Sequence, residues 1–182
     1  DVGGSTALRT LTTDAAGSVG STTAILNGTV NANNASTTVT FEYGFDTSYG
    51  QTVTASPGTV TGSTNTAVNF ALSGLIPNQT YHYRVVGSNS SGTNQGGDQT
   101  FTTGAIAPSV ATNIATGIGG TGATLNGTVN PNNDSTTVTF EYGTTVAYGT
   151  TVTADQSPLT GSSNTAVSKA ITGLTNNTTY HY

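Results

Sequence analysis

The sequence has no cysteine, so no disulfide staples it and its stability must come from packed apolar cores. Charge is nearly as scarce. Only 6% of the 182 residues are Asp, Glu, Lys or Arg, against roughly a quarter in ordinary soluble domains. Arg9, Arg84 and Lys169 are the whole basic complement, and the formal net charge is -5 with a pI near 4.4. No basic stripe can be drawn from three residues, which excludes nucleic-acid binding by counterion release. No run approaches the roughly 18 apolar residues of a membrane-spanning helix, so membrane insertion is not expected. No charged and then apolar leader opens the chain, and Asp1 suits a processed or truncated start. Tryptophan is also missing.

What remains is rich in Thr, Ser, Asn, Gly, Val and Tyr. Disorder usually goes with high charge, whereas Thr, Val and Tyr favour strands, so this composition favours folded β-structure. A surface polar through hydroxyls and amides titrates little, which suits variable salt and pH.

Self-comparison gives the strongest signal. Ala24-Ile-Leu-Asn-Gly-Thr-Val30 returns as Ala123-Thr-Leu-Asn-Gly-Thr-Val129, Phe41-Glu-Tyr-Gly44 as Phe140-Glu-Tyr-Gly143, and Thr80-Tyr-His-Tyr83 as Thr179-Tyr-His-Tyr182. All three pairs share one offset of 99 residues (123 − 24, 140 − 41 and 179 − 80). The sequence therefore divides into a first module over residues 1–103 and a second over 104–182. Gly104-Ala-Ile-Ala-Pro108 joins them, short and Pro-bearing enough to predict a semi-rigid joint.

Period-two alternation dominates, with no helical stripe. In the first module it predicts strands near 7–15, 22–30, 36–43, 51–55, 66–73, 80–89 and 97–103. Turn clusters at Asn31-Ala-Asn-Asn34, Ser56-Pro-Gly58 and 90–96 separate them. Parity turns Val39, Phe41 and Tyr43 inward, then Val68, Phe70 and Leu72, then Tyr81, Tyr83 and Val85. Lys169 stands at the offset position of Phe70, so either its stem lies along the core edge with the ammonium outside, or that parity is wrong. Seven short strands in about 100 residues is an immunoglobulin-like pattern.

Here a family resemblance enters. Gly74-Leu-Ile-Pro-Asn-Gln-Thr-Tyr-His-Tyr-Arg-Val-Val-Gly-Ser-Asn89 resembles the Leu-x-Pro-x-x-x-Tyr stretch of fibronectin type III modules, closest to those of bacterial and archaeal surface proteins. It implies an all-β fold of tandem immunoglobulin-like sandwiches, with the second incomplete at its C-terminal side. It also implies structural tyrosine corners at Tyr81 and Tyr180. The sequence departs from the family in lacking its second-strand Trp, and in reading Leu174-Thr-Asn176 where the first module has Pro77.

At the 99-residue offset, positions equivalent to Arg84–Thr103 fall after Tyr182. The second module is then expected to present an open sheet edge. Two readings stay open: the sequence is a fragment of a longer array, or a neighbouring chain supplies the missing strand. Within Asp1–Thr10, the alternate residues Val2, Thr6, Leu8 and Thr10 are the candidate donors.

Other chemistry is weighed motif by motif. Gly117-Ile-Gly-Gly-Thr-Gly122 fits a dinucleotide fingerprint but precedes a strand rather than a helix, and reads as a turn. His82 and His181 occupy equivalent outward positions without further soft ligands, so no zinc site is expected. Glu42 is expected to face His82 or Arg84 across neighbouring strands. Asn130, Asn132, Asn133 and Asp134 form a thin calcium candidate, since such sites gather several carboxylates. Glycosylation acceptors stand at Asn27, Asn34, Asn78, Asn89, Asn126, Asn133, Asn176 and Asn177. No Cys exists, and neither histidine has a predicted Asp or Ser partner, so neither catalysis nor a cofactor is expected. The leading expectation is an extracellular or cell-surface structural repeat, a spacer or assembly subunit of a fibre, stalk or surface layer. Its partners would be copies of itself or further repeats. The alternative is an adhesive or carbohydrate-binding accessory module, using loops or Tyr49 and Tyr148.

Overall fold

A computed structural model describes residues 9–182, and the regular elements in them are all β-strands. The chain divides into two compact units, one ending at Gly104 and the other spanning Ala105–Tyr182. Val2, Thr6 and Leu8 lie outside the described residues.

The first unit contains β1 (Thr10–Gly17), β2 (Ala24–Asn31), β3 (Thr37–Gly44), β4 (Gln51–Val60), β5 (Thr66–Leu72), β6 (Thr80–Asn89), β7 (Gly92–Gln95) and β8 (Gln99–Thr102). They join antiparallel in the order β1-β2-β5-β4-β3-β6-β7, with β8 also on β6. The sheet curls until its two halves share one core. Leu26 and Val30 of β2 and Val68 and Leu72 of β5 meet Val39 and Phe41 of β3 and Tyr81, Tyr83 and Val85 of β6. These are the inward residues of the alternation. Each Val, Leu or Phe so buried contributes about 1.5–3 kcal/mol.

Local structure differs from the sequence expectation in three places. Ser56-Pro-Gly58 is not a turn between strands but lies within β4. The ladder jumps from Thr40–Thr54 to Thr38–Thr59, so Ala55–Gly58 leaves the pairing with β3, and Ser56 pairs instead with Asn69 of β5. A bulge accommodates proline because no ladder donor is needed there. Residues 90–96 are likewise not all turn. Gly92–Gln95 forms β7, which hairpins back on β6 from Asn89–Gly92 to Val86–Gln95. All four of its residues are exposed, so backbone pairing holds it and no apolar pattern announces it. Lastly, Thr10 is no free donor: it pairs with Asn31 of its own unit.

In the second unit β9 (Ser109–Thr116), β10 (Gly122–Asn130) and β13 (Thr165–Thr172) form one sheet in the order β13-β10-β9. The strands β11 (Thr139–Tyr142) and β12 (Thr150–Thr153) form another. Isolated bridges join Thr136 to Leu159 and Gly143 to His181. Leu125, Val129, Phe140, Val167 and Ile171 build the core. After β12 the ladder gives way to side chains: Ser157 Oγ accepts the Val138 amide at 2.9 Å and Gln156 Oε1 the Ser168 amide at 2.8 Å. Lys169 keeps the inward parity of Val167 and Ile171, but its ammonium reaches Asp155 at 2.7 Å. Its stem follows the edge while its charge stays wet.

Candidate functional site

A polar cluster in the first unit lies on the outer face of β3 and β6. Register places Glu42 opposite Arg84, not His82. Arg84 Nε donates to Glu42 Oε2 at 2.8 Å, and Nη2 lies 2.8 Å from the same oxygen. The turn after β3 holds Tyr49 at φ 58°. Its carbonyl is pressed so close to Gly44 that a Cβ there would stand 1.5 Å from the oxygen. Only glycine admits this return, which lays the Tyr49 ring under the Arg84 guanidinium, 4.5 Å from ring centroid to Cζ. Tyr49 is 8% exposed, which corrects the expectation that it offers a surface for ligands.

Asp98, between β7 and β8, completes the cluster. Tyr49 Oη donates to Asp98 Oδ1 at 3.0 Å, and His82 Nδ1 lies 2.9 Å from Asp98 Oδ2. The sequence reading offered His82 only Glu42 as an acidic partner and did not foresee Asp98. Asp98 reaches His82 because β8 folds back along β6, His82 opposite Thr100; that register was the missed signal. Burial first, then the bond to Asp98, pushes the Tyr49 hydroxyl above its usual 10.0. Both carboxylate oxygens are committed, so the cluster works as a clamp tying the Tyr49 turn and β8 to β6. Each half-exposed ion pair contributes about 0–1 kcal/mol.

Two further tyrosines tie loops to strands. Tyr81 Oη accepts the amide of Ile76 at 3.0 Å, and Tyr180 Oη that of Thr175 at 3.0 Å, each five residues upstream. The donated bond holds the Tyr180 hydroxyl below its usual value. Tyr83 Oη donates to the carbonyl of Asp14, and Tyr182 Oη to that of Asn113. Burial, helped by the Asp14 charge, pushes Tyr83 up to about 12.

The other sequence candidates take structural places. Gly117–Gly122 links antiparallel β9 and β10 through a Gly119 amide to Gly122 carbonyl bond of 2.8 Å. Among the described residues no three His, Asp or Glu side chains converge as metal ligands. In the calcium candidate, Asn130 Oδ1 accepts the Asn132 amide at 3.0 Å and Asn132 Nδ2 donates to Ala107 at 2.7 Å, so these amides serve the turn. Asn27 and Asn126 lie on strands and donate to Ala15 and Ile114 at 3.0 and 2.9 Å, while Asn89 Oδ1 accepts from Arg9 at 2.6 Å. Asn133 is half-buried, whereas Asn34, Asn78, Asn176 and Asn177 are exposed.

The second unit has a different kind of site, an uncovered apolar face. In the first unit Arg9 Nε donates to Gly87 at 3.0 Å and the Val85 amide to Thr13 Oγ1 at 3.1 Å, locking β1 to β6. Phe101 of β8 closes the core by stacking on Tyr81, 5.4 Å between centroids. In the second unit Val110, Ile114 and Ile118 are 74%, 85% and 76% exposed. A cleft of about 460 Å³ lined by Ile118, Leu125, Leu174 and Tyr180 lies at the place equivalent to that of Phe101. A second, of about 290 Å³, lies among Thr112, Phe140, Glu141, Tyr148 and Tyr182.

No family model and no curated protein matches the chain. Solved structures do. The sensor domain of the anti-sigma factor RsgI4 of Pseudobacteroides cellulosolvens is 18% identical, with a TM-score of 0.43 over 56% of this chain and 100% of that one. The chicken CNTN1 FN1–FN3 domains are 16% identical at a TM-score of 0.41, over 91% of this chain and 61% of theirs. A computer-redesigned β-sandwich protein is 29% identical at a TM-score of 0.33, over 49% of this chain and 87% of that chain.

Proposed function

We propose that the chain is a tandem pair of fibronectin type III-like sandwiches serving as structural repeats of an extracellular fibre, stalk or surface layer. The observation that carries this reading is the repetition of internal bonds at the 99-residue offset. Tyr81 and Tyr180 accept the same upstream amide, and Tyr83 and Tyr182 donate to equivalent carbonyls. Gly44 and Gly143 admit equivalent tyrosine carbonyls, those of Tyr49 and Tyr148. The repeated chemistry is thus spent on holding strands together. In the first unit the order β1-β2-β5 followed by β4-β3-β6 is that of an immunoglobulin-like sandwich. Tyr81 and Tyr180 then act as tyrosine corners, and neither unit performs catalysis or carries a cofactor.

In this role each module buries its own core and passes load to its neighbour. Solution scattering from fusions of one, two and three copies of the chain tests it. The expected result is a maximum dimension rising in equal steps with copy number. Saturable binding of a surface carbohydrate by the single chain, with no such growth, would overturn the reading in favour of an adhesive module.

A further inference from the structure

We infer that Arg9 is the force-bearing clasp of the first unit: its guanidinium ties the start of β1 to the β6–β7 hairpin, and tension along the chain must break this tie before β1 can leave. The inference rests on the spacer reading, under which the first unit is loaded along the chain. Arg9 is 6% exposed, and taking a guanidinium out of water is costly unless its donors are met. All three of its nitrogens are met, on one hairpin. Nε donates to the Gly87 carbonyl at 3.0 Å, Nη1 to Asn89 Oδ1 at 2.6 Å, and Nη2 to the Gly92 carbonyl. Asn94 Nδ2 donates in return to the Arg9 carbonyl at 3.1 Å. Bonds from a charged donor are the stronger class. The three acceptors are neutral, so shape decides the match: a planar fork spans the end of the hairpin where Asn89 pairs with Gly92.

The placement of this tie sets what tension does. From Arg9 the strand β1 runs along β2, from Thr10–Asn31 to Asp14–Asn27. Beyond its far end, Gly20 accepts the Gly104 amide at 3.0 Å, and the Gly104 carbonyl accepts that of Asn78 at 3.1 Å. The chain thus enters the unit at the Asn89–Gly92 end of the hairpin and leaves it at the other end of β1. Tension between these points draws β1 lengthwise past β2 and β6. Bonds that cross a sliding strand share the load instead of opening one at a time. Arg9 stands first in that line. Behind it Thr13 Oγ1 accepts the Val85 amide at 3.1 Å, and the Asp14 carbonyl accepts the Tyr83 hydroxyl. The second unit shows that strand pairing needs no such clasp. Pro108, whose side chain carries no donor, stands at the 99-residue offset from Arg9. There β9 still pairs with β10, from Ser109–Asn130 to Thr116–Thr124. Arg9 is therefore an addition to the ladder and not a condition for it.

Single-molecule pulling along two directions tests the clasp. The chain has no cysteine, so attachment points can be placed at will. A constant pull between the N-terminus and Ala105→Cys loads β1. A pull between Thr47→Cys and Thr64→Cys, both exposed positions outside strands, loads β4 and leaves β1 slack. Arg9→Lys keeps the charge but cannot span three acceptors. It should speed unfolding in the first pull at least about tenfold, a barrier loss of about 1.4 kcal/mol. The second pull should be nearly unchanged, because the clasp is still closed when β4 yields. Asn89→Ala removes a single acceptor, should act in the same pull by a smaller factor, and decides the matter if Arg9→Lys does not fold. Equal acceleration in both pulls would make Arg9 a general stabiliser and overturn the clasp, as would no acceleration in either. Neither result alters the growth of length with copy number that tests the spacer reading, and absence of that growth would sink the spacer reading while leaving the pulls to judge the clasp.

Discussion

The two units are built on one sequence framework and end in different states. Tyr49 is 8% exposed and Tyr148 37%, although both sit in the same left-handed turn behind an equivalent glycine. Thr13 is buried in β1, whereas β9, aligned with it, is exposed almost throughout. The local devices survive in both: the turn glycines, the tyrosine-to-amide bonds and the tyrosine-to-carbonyl bonds. The largest difference is what Arg84–Thr103 contributes to the first unit. Local chemistry sets the scaffold, and the last strands close the core and hide the first one.

Adding those strands should produce the largest effect. Appending a copy of Arg84–Gly104 after Tyr182 gives the second unit counterparts of Val85 and Phe101. Two newly buried side chains at about 1.5–3 kcal/mol each stabilise it by roughly 3–6 kcal/mol. Calorimetry should show its transition rising towards that of the first unit, with Tyr148 becoming protected from iodination. Unchanged melting would break the comparison, because the difference between the units would then lie elsewhere.

The converse change is nearly as large. Phe101→Ala removes the ring stacked on Tyr81 and set edge-on to Tyr83 at 5.9 Å, opening in the first unit the cleft already present in the second. The expected loss is about 3–5 kcal/mol, read as a fall in urea midpoint. Leu125→Ala, buried but lining the second unit's cleft, should cost less than Leu26→Ala, because fewer packed atoms surround the space it would vacate.

Alternation and repetition carried most of the fold into view. Most strand positions follow from a period of two and an offset of 99 residues, and so does the inward parity. What escaped was held by register rather than composition. β7 has four exposed polar residues and nothing to mark it but pairing. Ser56-Pro-Gly58 carries turn residues, yet the ladder bulges past it. Asp98 meets His82 and Tyr49 only because β8 returns along β6, so the clamp could not be assembled from spacing. Thr10 looked like a donor because parity is blind to a partner, Asn31, already in place.

A smaller effect separates the tyrosine bonds. Tyr83→Phe deletes the bond to the Asp14 carbonyl and should cost about 1 kcal/mol. It should also change the pH response. The folded Tyr83 is raised to about 12 from 10.0, so below pH 10 both folded and unfolded states are protonated and stability is unaffected. Between pH 10 and 12 the unfolded state releases its proton first, and stability falls as pH rises. The Phe variant should lose this part of the alkaline fall in denaturant titrations, while other tyrosines keep theirs. An identical profile would show that Tyr83 is not the group responsible.

The smallest expected effect tests whether the clamp belongs to the difference between units or merely decorates it. Arg84 bonds Glu42 and covers Tyr49, with its side chain 26% exposed and that of Glu42 29%. An ion pair this open to water contributes about 0–1 kcal/mol, and the cation over the ring about 0.5–1 kcal/mol at an exposed site. Glu42→Gln removes the first and leaves the second, whereas Arg84→Lys keeps a charge but loses the planar fork that serves both. Arg84→Lys should therefore cost more, and only the part shared with Glu42→Gln should fade as salt rises from low ionic strength to 1 M, where the screening length is about 3 Å. A double-mutant cycle at both salt concentrations separates the two contributions. If the coupling between the positions vanishes even at low salt, Tyr49 owes its burial to Asp98 and to the turn at Gly44. The second unit's Tyr148 would then be exposed for want of a carboxylate opposite it, and not of an arginine.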